Sequence, residues 1–291
     1  MGLCFQTLQS GSSGNVLMVW SHKTRVMIDC GVRSQKQLRV LLMQHAIPKL
    51  AALVNTHLHS DHINYHALRV MESDQTPVYV HRDNRRRLLF KHGRGASFRG
   101  LDLREYGEGP LEIGDLILQN FEIEHADESR NCGFVIQWKE DPAERIVIAT
   151  DFFEWENIGR HFVDARIIYV EANHCPELLR RYPNFNSHFH LSNPKTGMLL
   201  AQALQSSNHA PRAIVLGHLS TERNRPDVAL KAVRNTLKQH GARLESPLEV
   251  APRFEPSAVY RTKLALEESR STQPAWNVEL EGIDIQQPEF F

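Results

Sequence analysis

Four side chains able to bind a metal ion fall within six consecutive residues, His57-Leu58-His59-Ser60-Asp61-His62. In extended backbone alternate side chains share a side, so His57 and His59 can reach one metal from the same edge. Asp61 and His62 come where the chain is expected to turn into a helix, and they can address a second, adjacent site. Imidazole and carboxylate donors suit zinc, manganese or iron rather than calcium. The chemistry to expect is hydrolysis by two divalent ions.

Such a motif needs a scaffold. Residues 2–8, 16–20 and 25–29 read as strands, with a Ser10-Gly11-Ser12-Ser13-Gly14-Asn15 turn between the first two and Gly31 closing the third. Ser34 is a fitting N-cap for a helix reaching Gln44, with Leu38, Leu41 and Leu42 on one face. The apolar run 50–55 reads as a buried strand leading straight into the histidines, and a helix carrying Leu68 and Met71 follows them. Strands are expected over 116–123, 133–138, 145–149 and 167–170, then helices over 193–205 and 227–239 flanking a strand over 213–216. Two β-then-α halves imply an α/β protein with two sheets packed together and helices outside.

Composition sets only loose bounds. Among 291 residues, Lys+Arg and Asp+Glu both number 34, so overall charge names no partner. Between Arg82 and Arg104, however, lie Arg85, Arg86, Arg87, Lys91, Arg94 and Arg99 against Asp83 and Asp102. That stretch is either a solvated helix and loop or a patch for an anionic substrate. Cys4, Cys30, Cys132 and Cys175 show no CxxC spacing, and no leader-like segment is visible, so reduced thiols and a cytoplasmic location are expected. No apolar run is long enough for a membrane span. The domain is expected over 1–261, with 262–291 as an acidic, polar tail that offers a surface for homo-oligomerisation.

The histidine motif behind its apolar strand resembles the metallo-β-lactamase superfamily. That likeness implies an αββα four-layer sandwich, two mixed β-sheets face to face with helices outside, and metals at one edge of the sheets. It also implies three more ligands at strand ends, for which His125, Asp151 and His218 stand in the required order. By analogy His57, His59 and His125 hold one ion; Asp61, His62 and His218 hold the other; Asp151 bridges them. The SGSSGN turn, Glu171-Ala172-Asn173-His174, His190-Leu191-Ser192-Asn193 and His218-Leu219-Ser220 are similar to segments of the YycJ/WalJ-type subgroup, over about residues 3–255. Two positions depart from it: Ala126 precedes Asp127 where the order Asp-Ala is usual, and Cys175 stands in place of an acidic residue.

The resemblance implies cleavage of phosphodiesters by a metal-bridging hydroxide, with DNA or RNA as substrate and nuclease action foremost. A small cyclic phosphate diesterase and a thioesterase or lactonase are the alternatives. Asp61 is expected to orient the nucleophile, and His190 to bind phosphate or protonate the leaving oxygen; His188 and His174 are weaker candidates. Ser12, Ser13, Asn15 and Asn193 are candidate substrate contacts, although the turn residues could equally only close a hairpin.

Overall fold

The computed structural model describes residues 2–45, 47, 49–95, 98–125 and 129–263. The first half forms β1 (Cys4–Gln9), β2 (Val16–Trp20), β3 (Arg25–Cys30), α1 (Gln35–Gln44), β4 (Ala52–Val54), α2 (Tyr65–Ser73), β5 (Val78–His81), α3 (Arg85–His92) and β6 (Leu103–Tyr106). The second half forms β7 (Leu111–Ile113), β8 (Leu116–Glu122), β9 (Cys132–Trp138), β10 (Asp141–Ala149), β11 (Ile167–Glu171), α4 (Pro176–Arg181), α5 (Asn193–Ser206), β12 (Ala213–Gly217), α6 (Pro226–Gln239) and β13 (Leu248–Val250). A short β14 (Tyr260–Arg261) returns to pair with β1.

Among the described residues the strands make two mixed seven-stranded sheets, ordered β14-β1-β2-β3-β4-β5-β6 and β13-β12-β11-β10-β9-β8-β7. The period-2 alternation of side chains sorts each strand between two cores. In β3, Val26 and Ile28 face the other sheet, while Met27 turns to the helices α1 and α2. In β11, Ile167 and Tyr169 face inward, while Ile168 and Val170 meet α5 and α6. Three apolar layers thus separate helix, sheet, sheet and helix, which is the αββα sandwich expected.

The helices that frame the site start as their sequences dictate. The Ser34 hydroxyl accepts from Gln37 N, capping α1. Asn64 caps α2 by accepting from His66 and Ala67 N, and its amide also donates to Val32 and Ser60 carbonyls. That second role anchors the turn carrying the histidines. All four cysteines are free thiols. No helix of the described residues is long and apolar enough to cross a membrane. Thr262 still packs on the domain, its hydroxyl accepting from Leu3 N; positions 264–291, most of the proposed tail, lie outside the described residues, as do Ala126 and Asp127.

Candidate metal centre

Strand ends from both sheets converge on one place. The loop after β4 brings His57, His59, Asp61 and His62; the end of β8 leads to His125; β10 and β12 are followed directly by Asp151 and His218. Asp29, Asp151 and His218 all adopt left-handed backbone, φ 58°, 62° and 52°. Few non-glycine residues tolerate that conformation, and it persists where surrounding bonds over-determine it. At Asp29 the β2–β3 register slips between Val16 and Leu17, a bulge that turns its carboxylate inward.

The tautomers follow from what each ring can reach. Thr56 has one hydroxyl proton and gives it to Asp29 Oδ2 at 2.8 Å. His57 Nδ1, 3.0 Å from that hydroxyl, must therefore donate, which leaves a buried Nε2 lone pair that no protein group answers. His62 Nδ1 donates to Asp29 Oδ2 at 2.6 Å. His125 Nδ1 donates to Phe189 O at 3.0 Å, and His218 Nδ1 donates to Glu171 Oε1 at 3.1 Å. In its neutral form each of these four rings then turns an acceptor toward the centre. There His125 Nε2 faces His59 Nδ1 at 3.2 Å, and His62 Nε2 faces Asp151 Oδ2 at 3.0 Å. A proton can close either contact as a hydrogen bond; the buried His57 Nε2, which no protein group answers, is the lone pair that a divalent cation fits.

The donors fall into overlapping groups whose atoms lie within 4.8 Å of one another: His57, His59, His125 and Asp151; Asp61, His62 and His218; and Asp151, Glu171, His190 and His218. Asp151 touches the second group too, 3.6 Å from His218 Nε2. Electrostatics divide the rings. Burial lowers His57 well below the usual imidazole range, His59 to about 4, and His125 in the same direction, so these stay neutral donors. Burial opposes charge on His62 and His218 as well, but Asp151 leads the carboxylates that overcome it, lifting His62 and raising His218 to about 10. The second group thus favours positive charge, which a proton or a metal ion supplies equally.

Two organising residues escaped the sequence reading of the site. Asp29, 1% exposed, accepts from Asn55, Thr56 and His62. Glu171, fully buried at the end of β11, accepts from Asp151 N, Phe152 N, His218 and, at 2.6 Å, His190 Nδ1. Burial opposes its charge, yet His190 and His218 hold it ionised, down to about 2. A carboxylate at the end of an apolar strand was the available signal for both, the same one that pointed to Asp151.

The remaining candidates separate by position. A cleft of ≈ 620 Å³ opens over the centre, lined by His59, Asp61, His125, Asp151, His190 and His218 and walled farther out by Ser12, Lys91, Asn173, Asn186 and Arg223. His190 sits in it, 3.6 Å from Asp151 Oδ1. Ser12 stands exposed at its mouth. Asn15 is buried, its amide 3.0 Å from His62 Nε2 and within reach of Asp61 O; the Ser13 hydroxyl is buried without a partner. Asn193 does not reach the cleft: it is fully buried, exchanging amide hydrogen bonds with Asn224, so a substrate contact does not fit its place. His174 is buried, which pushes it to about 4, and His188 is exposed against Phe185. Cys175 heads α4 without capping it. In the basic stretch, Arg85 pairs with Glu105 and Arg104 with Asp102, while Lys91 reaches the cleft.

The fold and this histidine–aspartate centre define a metal-binding hydrolase of the metallo-β-lactamase fold. The beta-lactamase superfamily domain matches residues 24–219, and the chain belongs to that family. The exodeoxyribonuclease YycJ of Bacillus anthracis is 25% identical over 262 residues, spanning 86% of this chain and 95% of the relative. The metallo-beta-lactamase fold protein YhfI from Bacillus subtilis has a similar structure, with TM-score 0.66 at 15% identity over 89% of this chain and 99% of that one. Human tRNase Z, short form, gives 0.60 at 12% identity over 88% and 98%.

Proposed function

We propose that this protein is a phosphodiesterase holding two divalent ions, and that it acts as a nuclease. Asp151 carries the reading: its carboxylate lies against both donor groups, so His57, His59 and His125 would share it with Asp61, His62 and His218. Zinc, manganese or iron bound there would acidify water and offset charge developing at phosphorus. Asp61, 21% exposed at the side chain, orients the attacking water. Lys91 and Arg223 on the cleft walls attract the phosphate. His190, fixed by Glu171 and open to the cleft, stabilises or protonates the leaving oxygen. The YycJ relative, named an exodeoxyribonuclease, favours DNA over a small diester. The free thiols fit a reducing, cytoplasmic setting.

The test is hydrolysis of bis(p-nitrophenyl) phosphate and of labelled DNA oligonucleotides with Mn²⁺ or Zn²⁺ by the parent, Asp151→Ala and His59→Ala. Both variants should lose at least about 10²-fold in turnover and bind less metal. Full activity in both would remove the dinuclear reading. Cleavage of the small diester with every oligonucleotide left intact would point to a small-molecule diesterase instead.

A further inference from the structure

Between α4 and α5 the chain makes a short 3-10 turn, Phe185–Phe189, and passes directly to His190. Asn184 caps it, its side-chain oxygen accepting from Asn186 N at 2.8 Å. Asn184, Asn186, Ser187 and Phe189 all line the cleft. Phe185 does not turn inward with them: it stands 75% exposed at the rim. Its ring is nonetheless held, packed edge-on to Phe189 at 5.4 Å, which in turn meets Phe153 at 6.0 Å. The Phe189 carbonyl is also the acceptor that fixes His125. Three residues before Phe185 in the chain, Tyr182 is 46% exposed under the Arg181 guanidinium, and its carbonyl accepts from Arg223 of the cleft wall.

A fixed, exposed aromatic face next to cations, leading into a phosphate-cleaving centre, matches the chemistry of single-stranded nucleic acid. There the bases stack on rings while basic groups follow the backbone. We infer that Phe185 is a stacking platform for an unpaired base of the substrate strand, an inference that rests on the nuclease reading above. The 3-10 turn rises about 2.0 Å per residue and one extended step carries the chain on to His190, so Phe185 and His190 lie roughly 10 Å apart along it. Duplex spacing, about 3.4 Å per nucleotide, is a lower bound for an unpaired strand, so the stacked base lies at most roughly three nucleotides from the scissile phosphate. The occupant is a strand end with its bases free; a fully paired duplex keeps those faces stacked inside its helix.

The experiment compares the parent with Phe185→Ala and Phe185→Trp as metal-loaded full chains. Binding of a nuclease-resistant phosphorothioate octathymidylate is followed by fluorescence anisotropy, and steady-state cleavage is measured on octamer, dinucleotide and bis(p-nitrophenyl) phosphate. The alanine variant should bind the octamer about 10-fold more weakly and show a raised KM for it. Dinucleotide and bis(p-nitrophenyl) phosphate, too short to reach the rim, should be cleaved as before. The tryptophan variant should restore octamer affinity, with its emission quenched by the bases. Unchanged octamer binding in Phe185→Ala overturns the platform. So does an equal loss on all three substrates, which would mark a structural role. If the parent cleaves bis(p-nitrophenyl) phosphate but neither binds nor cleaves any oligonucleotide, the nuclease reading itself falls.

Discussion

At the scale of single residues, Glu171 and His190 share one hydrogen bond but should differ in what their loss removes. His190 has its Nδ1 on Glu171 and lines the cleft, so on the proposed function it would serve the reacting groups. Glu171 also accepts from His218 and from the amides of Asp151 and Phe152, so it sets donors from two strands as well. His190→Ala should lower kcat about 10²–10⁴-fold with metal content unchanged, since a lost acid–base group costs that much. Glu171→Gln should lower both turnover and metal content, because an amide cannot accept from both rings and both amides with a carboxylate's strength. Elemental analysis beside steady-state kinetics separates the two. Metal lost in His190→Ala would make that ring a ligand; full metal in Glu171→Gln would reduce the glutamate to a partner of His190.

At the scale of elements, the tightest joint is where β3 meets the histidine turn. Cys30 N donates to His62 O, Asn15 N donates to Asp61 O, and Gly31 N donates to Asn15 O. A Cβ on Gly31 would overlap the Asp61 carbonyl. Gly31→Ala must therefore push the backbone at Asp61 and His62 away, costing about 1–3 kcal/mol of stability as overpacking does. It should also weaken the Asp61, His62 and His218 group while sparing His57, His59 and His125. On the proposed two-ion reading, metal content would fall toward one, whereas Gly109→Ala, with open space around it, should change neither melting nor metal. This joint also shows what was legible beforehand. His57 to His62, the apolar strand before them and the Ser34 cap are local patterns, readable because their residues are neighbours. Asp29 and Glu171 act on partners that are distant along the chain, so no spacing marked them. The edge strands β6 and β7 were missed because they are short, charged and only partly buried, with no apolar run to reveal them, while α3 falls in the 82–104 stretch read as a solvated helix and loop or an anion patch. Asn193 misled for a related reason: its sequence neighbourhood suggested the cleft, but its amide is taken up by Asn224.

At the scale of the molecule, the centre lies across the seam between the two halves. Asp29 and the 57–62 turn belong to the first sheet's side; His125, Asp151, Glu171 and His218 belong to the second. The Ser10 hydroxyl spans the same seam, paired with Tyr169 at 2.8 Å and accepting from His218 N at 3.0 Å. Ions held by donors from both halves would act as cross-links present only in the folded state, so binding adds directly to stability. One ion at a hundred times its dissociation constant contributes about 2.7 kcal/mol, which in a chain of this size corresponds to a rise in Tm of roughly 5 °C. Calorimetry of the protein stripped with chelator and then titrated with Zn²⁺ or Mn²⁺ should show that rise. Asp151→Asn should lose most of it, because Asp151 stands on the second half yet reaches His62 of the first. A variant confined to one side of the seam, His57→Asn, should keep part of the gain through Asp61, His62 and His218. A melting temperature indifferent to metal in the parent would mean that packing and cross-seam bonds such as those of Ser10, Asp115 and Asn84 hold the halves together, with the donor atoms no part of the joint.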